Sequence, residues 1–347
     1  MESRDEEDQN VKLAVVIVHY RTEKMTLDCL ISLTGELRKS PGRHAFVVDN
    51  ASGDGSAERL EAQINSRGLG DLFTFLSAPA NGGFSAGNNL AIRAALSGNS
   101  AGRGGNFFDA LLLLNSDTIV HPGAIDEMAN RLQSETRIGV VGPRLEWSDG
   151  QQQASCFRYI SPMSEMISAA KTGPITRAFR ASDVLLENVT EEKNIEWISF
   201  ACVLVRREVF ESIGLLDEGY FMYFEDVDFC RRARNDGWKI AFEPAARVVH
   251  LRGGASPEDF DERERRRRPQ FYYAARSRYL AKYYGAAGPC TANLLWLTGR
   301  SISLLREIFG RKKPHTAAQE SRDIWTACWS AARTLKASGG AQASLPS

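Results

Sequence analysis

Residues 11–21 read VKLAVVIVHYR. From Val11 to His19 the run is rich in β-branched residues and lacks the alternation of a strand that shows one face to water. Such a continuous run suits a strand buried on both faces, as in a parallel sheet. It ends on His19-Tyr20-Arg21, without the GxGxxG turn of a dinucleotide-binding unit.

Working outward, Thr26–Arg38 has helical spacing in Leu27, Leu30, Ile31, Leu33 and Leu37. Ala45–Val48 is a second apolar run and leads into the loop DNASGDGS. Glu58–Ser66 reads as a helix and Leu72–Leu76 as a third strand, followed by the glycine-rich loop PANGGFSAGNN. Leu90–Leu96 reads as a short helix and Ala110–Leu114 as a fourth strand. This alternation predicts an α/β class, a doubly wound sheet over about the first 120 residues. Gly123–Gln133 is expected to be helical and Gly139–Pro143 a short strand. Residues 150–195 read as irregular and partly mobile. Trp197–Val205 is expected as a strand, Arg207–Ile213 and Phe229–Asp236 as helices, and Lys239–Phe242 and Arg247–His250 as two short strands.

The composition is that of an ordinary globular chain: 347 residues, 43% hydrophobic, 25% charged, with zero formal net charge. A neutral total gives no support to nucleic-acid binding. The six cysteines are scattered without a CxxC pair, so free thiols in a reducing compartment are expected. The N-terminus MESRDEEDQN is polar and shows no signal peptide. No run reaches the roughly 18 apolar residues of a membrane span. The expected location is cytoplasmic, with peripheral contact to the inner face of the cell membrane.

In an open α/β sheet, ligands bind beyond the carboxyl ends of the strands. Asp49 stands at such an end, where its carboxylate either meets a ribose or base edge or shapes a turn. Asn81, Gly83 and Asn88 lie in the glycine-rich loop, whose N–H groups before a helix favour an anion. The run LLLLNSDT, residues 111–118, drives a buried strand into Asn115-Ser116-Asp117. A carboxylate there must be solvated, hydrogen-bonded or metal-bound; Asp117 is read either as a ligand for Mg²⁺ or Mn²⁺ or as a cap for the helix after Pro122. His250 closes another strand before Gly253-Gly254, a place suited to a metal or a diphosphate.

The stretch YFMYFEDVD, residues 220–228, crowds three carboxylates behind an aromatic run. At a helix start Glu225 and Asp228 share a face and Asp226 points elsewhere. Like charges near apolar rings raise a pKa, which makes a carboxylate a competent base. The alternative is an acidic first turn favoured by the helix dipole.

Taken in order, VVIVHYR, VVDNASGDGS, NGGFSAGNN, LLLLNSDT, YFMYFEDVDFCRRAR and VVHLRGG resemble the inverting GT-A glycosyltransferases of family 2, in particular the rhamnosyltransferase-like branch. The resemblance implies a GT-A fold, a Rossmann-like, mostly parallel sheet flanked by helices with a helical C-terminal appendage, and a sugar such as rhamnose moved from a dTDP- or UDP-linked donor to a glycan or lipid-linked glycan. It implies that His19 and Tyr20 flank the base, that Asp49 meets base or ribose, and that Asn115-Ser116-Asp117 replaces an Asp-x-Asp metal motif. It further implies that Glu225 and Asp226 are the catalytic pair with Asp226 as base, that His250 reaches metal or diphosphate, and that Trp197 faces the acceptor. Phe200-Ala201 departs from the family's Gly-Ala. The rival reading is a catalytically silent nucleotide- or glycan-binding module.

The expected organisation is a disordered N-terminus over 1–10, a catalytic domain over 11–256, a basic helical region over 257–335 and a disordered tail over 336–347. Residues 260–313 hold thirteen basic and four acidic side chains. With the apolar, Trp-containing stretch Asn293–Phe309 they suit an anionic membrane surface or a helical appendage with a solvated basic face.

Overall fold

The computed structural model describes residues 11–97, 108–186, 192–252, 265–310 and 313–331. The segments 1–10 and 336–347, Gly253-Gly254 and Arg263-Glu264 lie outside the described residues. The described residues fall into two compact units, one within 1–156, 189–218 and 229–257, the other within 157–188, 219–228 and 258–347.

The first unit is built on strands β1 (Leu13–His19), β2 (Arg43–Asp49), β3 (Phe73–Ser77), β4 (Ala110–Asn115), β5 (Thr118–Val120) and β6 (Ile138–Glu146). Beyond β7 (Cys156–Phe157) and β8 (Trp197–Ile198), β9 (Cys202–Arg206) and β10 (Lys239–His250) complete it. Eight of these form one sheet in the order β3-β2-β1-β4-β9-β6-β10-β5. β1 runs parallel to β2 and β4, and β2 to β3. β9 runs antiparallel to both β4 and β6, which makes the sheet mixed. Leu111, Leu112 and Leu113 are completely buried, each contributing about 1.5–3 kcal/mol by leaving water. Helices α1 (Glu23–Arg38), α2 (Ser56–Ser66), α3 (Gly83–Leu96) and α4 (Ala124–Gln133) accompany these strands.

Several boundaries differ from the sequence reading. Helix α3 begins at Gly83, inside the stretch expected to be loop, because Gly83 itself takes the left-handed φ of +82° that turns the chain into the helix. Asp117 does not cap a helix: β5 intervenes, held by antiparallel pairing of Thr118–Val120 with Val248–His250. The expected strand over Trp197–Val205 is split by a turn into β8 and β9. The two short strands expected after Lys239 are one strand, with a register shift between Glu243 and Arg247.

The second unit is helical. Residues 150–195, expected to be irregular, contain α5 (Pro162–Ala170) and the short α6 (Gly173–Ala178). Ser161 caps α5 with a reciprocal capping box to Ser164. Past α7 (Arg207–Ile213) of the first unit, α8 (Glu225–Asn235) begins four residues earlier than the apolar pattern indicated. Then follow α9 (Gln270–Tyr284), α10 (Gly288–Ile308) and α11 (Glu320–Asp323). Ala169, Tyr273, Trp296 and Ile324 form a core there. Gly299 lets α10 lie against α5: a Cβ at that position would sit 2.2 Å from the Met166 carbonyl oxygen. Trp296 is buried in this core, so the outer face of α10 is carried by other residues.

Candidate active site

The parallel register places His19, Asp49 and Ser77 in one row across β1, β2 and β3, with Val18 beside Asn115 of β4. The polar ends identified in the sequence therefore share one edge of the sheet. Gly87 permits α3 to approach it, since a Cβ there would lie 2.9 Å from Val18 Cγ1 and 3.5 Å from Asn50 Cγ.

His19 is fully buried and both ring nitrogens are engaged, Nδ1 with Thr26 Oγ1 at 2.9 Å and Nε2 with Ser56 Oγ at 2.8 Å. Burial holds its pKa below the ordinary value, against the opposing pull of Asp49, Asp54 and Glu23. The ring thus joins α1 and α2 to the strand end. Tyr20 is half-buried, with the Arg21 guanidinium 5.1 Å from its ring centroid. The Asp49 carboxylate accepts from the Ser52 backbone N–H at 3.2 Å, so it shapes its turn while remaining partly exposed.

Asn81 and Gly83 are joined by Asn50, which shares the polar end of β2 with Asp49 and for which no separate role was expected. Its amide donates to Asn81 Oδ1 and to the Gly83 carbonyl, both at 3.0 Å. Asn81 Oδ1 also accepts from the Gly83 N–H at 3.0 Å. Asn88 is buried and turned back onto its own helix, donating to the Phe84 carbonyl at 2.9 Å. The only signal for Asn50 was its place directly after Asp49.

At the end of β4, the Asn115 carbonyl accepts from Thr118 Oγ1 at 2.7 Å, closing the turn through Asp117. Although 133 positions apart in sequence, Asp117 Oδ1 and His250 Nε2 are 3.5 Å apart, because β10 runs beside β5. Gln153, itself buried, donates to the His250 carbonyl at 2.7 Å and fixes the strand end. Among the described residues no three His, Cys, Asp or Glu side chains gather as a metal centre. One carboxylate and one imidazole fit a hard divalent ion that keeps water and diphosphate in its remaining positions. Trp197 is partly exposed on β8. Phe200 is buried edge-on against Phe229 at 5.7 Å, so the departure from Gly-Ala serves packing.

The acidic turn belongs to the second unit. Tyr223 and Phe224 both have positive φ, 71° and 68°, immediately before α8. Two successive bulky residues in the left-handed region are strained. Phe224 is held by Tyr272 and Tyr279, with ring centroids at 5.6 and 5.7 Å. Asp228, fully buried, is anchored by α9: Lys282 Nζ lies 2.6 Å and Tyr283 Oη 2.9 Å from its Oδ1. Glu225 is buried too, and its Oε2 has no hydrogen-bond partner among the described residues. Burial first, then the charges of Asp226 and Asp228, pushes its pKa well above the ordinary carboxylate value. Asp226 is partly exposed, with Oδ1 accepting from the Val227 N–H at 2.8 Å. The expected sharing of a face by Glu225 and Asp228, with Asp226 turned elsewhere, matches this burial. Lys282 and Tyr283 carried no sequence signal as partners of the turn.

A family model described as glycosyltransferase-like family 2 matches residues 10–272. The chain is 28% identical over 275 residues to an N-acetylglucosaminyl-diphospho-decaprenol L-rhamnosyltransferase of Mycobacterium tuberculosis, covering 77% of this chain and 83% of the relative. It is 25% identical over 269 residues to a low-salt glycan biosynthesis hexosyltransferase of Haloferax volcanii, covering 78% of this chain and 75% of the relative. The fold is similar to a mannosyltransferase of Pyrobaculum calidifontis solved with GDP-mannose and Mn²⁺, with TM-score 0.52 and 14% identity over 96% of this chain and 88% of that one. These similarities identify the mixed sheet with its flanking helices as a GT-A fold.

Proposed function

The chain belongs to glycosyltransferase family 2, and from that premise we propose that it moves a sugar from a nucleoside diphosphate to a lipid-linked glycan, with inversion at the anomeric carbon. The observation that carries the proposal is the convergence of Asp117 and His250 at 3.5 Å on the ligand-binding edge of the sheet. The donor is dTDP- or UDP-linked, and rhamnose is the first sugar to test, by analogy with the mycobacterial relative's name. That name also supports a lipid diphosphate acceptor.

Asp49, Asn81 and Gly83 line the edge assigned to the nucleotide. Asp226 takes the proton of an acceptor hydroxyl. The freed oxygen attacks the anomeric carbon as its bond to the diphosphate breaks, and the proton ends on Asp226. Burial and its acidic neighbours hold Glu225 toward its protonated form, and Asp226, the partly exposed member of the pair, is the one assigned to the acceptor. Asp117 and His250 would hold Mg²⁺ or Mn²⁺, whose positive charge offsets the charge gathering on the departing diphosphate. Trp197 is assigned to the acceptor side.

The deciding experiment measures nucleoside diphosphate release from a panel of nucleotide sugars, with and without lipid-linked acceptor and with Mg²⁺, Mn²⁺ or chelator. Acceptor-dependent release that chelation abolishes is the expected result. Binding of nucleotide sugar without release under any condition would favour a silent binding module.

No helix among the described residues is long and apolar enough to cross a membrane. The outer face of α10 nevertheless exposes Leu294, Leu305 and Ile308, followed by Phe309, and the chain continues into Arg311-Lys312-Lys313. These features support docking on an anionic lipid surface. Flotation with anionic liposomes is expected for the native chain and not for a variant carrying Ile308→Ser and Phe309→Ser; equal flotation would remove this face from the interaction.

A further inference from the structure

Four of the six cysteines, Cys29, Cys156, Cys202 and Cys230, are buried, and burial pushes the first two up to about 12. The other two form a pair. Cys290 is the third residue of α10 and is partly exposed. Cys328, buried, lies beyond α11 and donates its N–H to the Trp325 carbonyl at 3.2 Å. Their sulfurs are 3.3 Å apart although 38 positions separate them in sequence. A disulfide needs about 2.05 Å between sulfurs, so a small side-chain rotation would close the remaining gap.

We propose that Cys290 and Cys328 form a reversible disulfide and constitute a redox-modification site of the helical unit, independent of the transfer chemistry. The surroundings are tied together by hydrogen bonds. Asn293, one turn after Cys290, donates to the Ile324 carbonyl at 3.0 Å, and its Oδ1 accepts from the buried Arg276 guanidinium at 2.8 Å. Arg276 in turn pairs with Glu165 of α5 at 2.9 Å. This network holds the segment carrying Cys328 against α10 whether or not the sulfurs are joined, so oxidation needs no rearrangement of the backbone.

The two thiols differ in access. Cys328 is buried and its pKa is pushed up to about 12, chiefly by burial. An external disulfide therefore meets Cys290 first. With oxidised glutathione as the oxidant, the Cys290 thiolate attacks one glutathione sulfur, forming a mixed disulfide and releasing one glutathione thiolate. Cys328 gives up its proton to that thiolate and attacks the Cys290 sulfur, releasing the second glutathione. Two protein thiols are oxidised to one disulfide, and one glutathione disulfide is reduced to two thiols.

The test incubates the full chain with oxidised glutathione, blocks remaining thiols by alkylation, and maps peptides without reduction. The expected result is loss of two of the six thiols, a cross-linked peptide pair containing Cys290 and Cys328, and a rise in the unfolding midpoint of roughly 5 °C that a reducing agent reverses. Cys290→Ser should fold, show no cross-link and show no such rise. Six unreacted thiols under excess oxidant, or a glutathione adduct that persists on Cys290, would overturn the proposal. So would a cross-link between any other two cysteines.

Discussion

Glu225 shows how a single buried group sets a pH response. Its folded-state pKa is raised above the ordinary 4.5 by burial and by two acidic neighbours. Between 4.5 and the raised value the folded chain keeps a proton that the unfolded chain has lost, so stability falls as pH rises through that window. Glu225→Gln removes the titration. The variant's midpoint should gain on the native chain as pH rises from 4.5 upward, which thermal unfolding between pH 4 and 8 would read. A constant difference would mean that Glu225 titrates normally. Asp226→Asn should lower turnover by about 10²–10⁴-fold with donor affinity little changed. Asp117→Ala should weaken nucleotide binding in Mn²⁺ and leave it unchanged in chelator, as calorimetry would show. Some of this was legible in the sequence. The spacing of Glu225 and Asp228 announced a shared face, because a helix start has a fixed period. The engagement of the His19 ring by two hydroxyls, from Thr26 and Ser56, was not legible, because a hydroxyl partner leaves no pattern.

Among elements, α9 fixes the acidic turn through Lys282 and Tyr283 on Asp228. Lys282→Ala strips the cation from a fully buried carboxylate and should cost about 3 kcal/mol in denaturant unfolding. Asp228→Asn, which removes the charge instead, should cost less. Lys282→Ala costing no more than that would show that Asp228 is satisfied without the cation, by groups that include the Tyr283 and Tyr220 hydroxyls, which donate to its Oδ1 at 2.9 and 3.3 Å. Strands β1, β2 and β4 were readable because burial on both faces writes a continuous apolar run. Strand β5 was hidden: three residues long, it exists through its pairing with β10. Helices α5 and α6 were hidden for a related reason. The apolar face of α5 is completed by α10, more than a hundred residues later, and the short α6 buries none of its residues, so no local window contains the pattern. The approach of His250 to Asp117 depends on the same long-range pairing.

At the scale of the molecule, the helical unit gathers segments far apart in the chain. The stretch beyond residue 257 shares a unit with 157–188 and with the turn at 219–228. A chain ending at residue 257 would therefore expose Met166, Ala169, Tyr220 and Phe224, which are buried in the full chain. Such a truncation should aggregate or bind an apolar dye strongly, as size exclusion and fluorescence would show. A monomer with a cooperative transition would mean that the first unit and the remaining segments fold without α9 and α10.

The turn at Tyr223-Phe224 joins two unfavourable things in three residues, a strained backbone and a buried acid without a full set of partners. Strain of that kind persists only where the surroundings over-determine it. It makes the turn a place where selection for heat tolerance and selection for turnover pull apart. Lineages or libraries chosen for thermal survival alone should collect replacements at positions 223–225, and those same clones should be the ones that no longer transfer sugar.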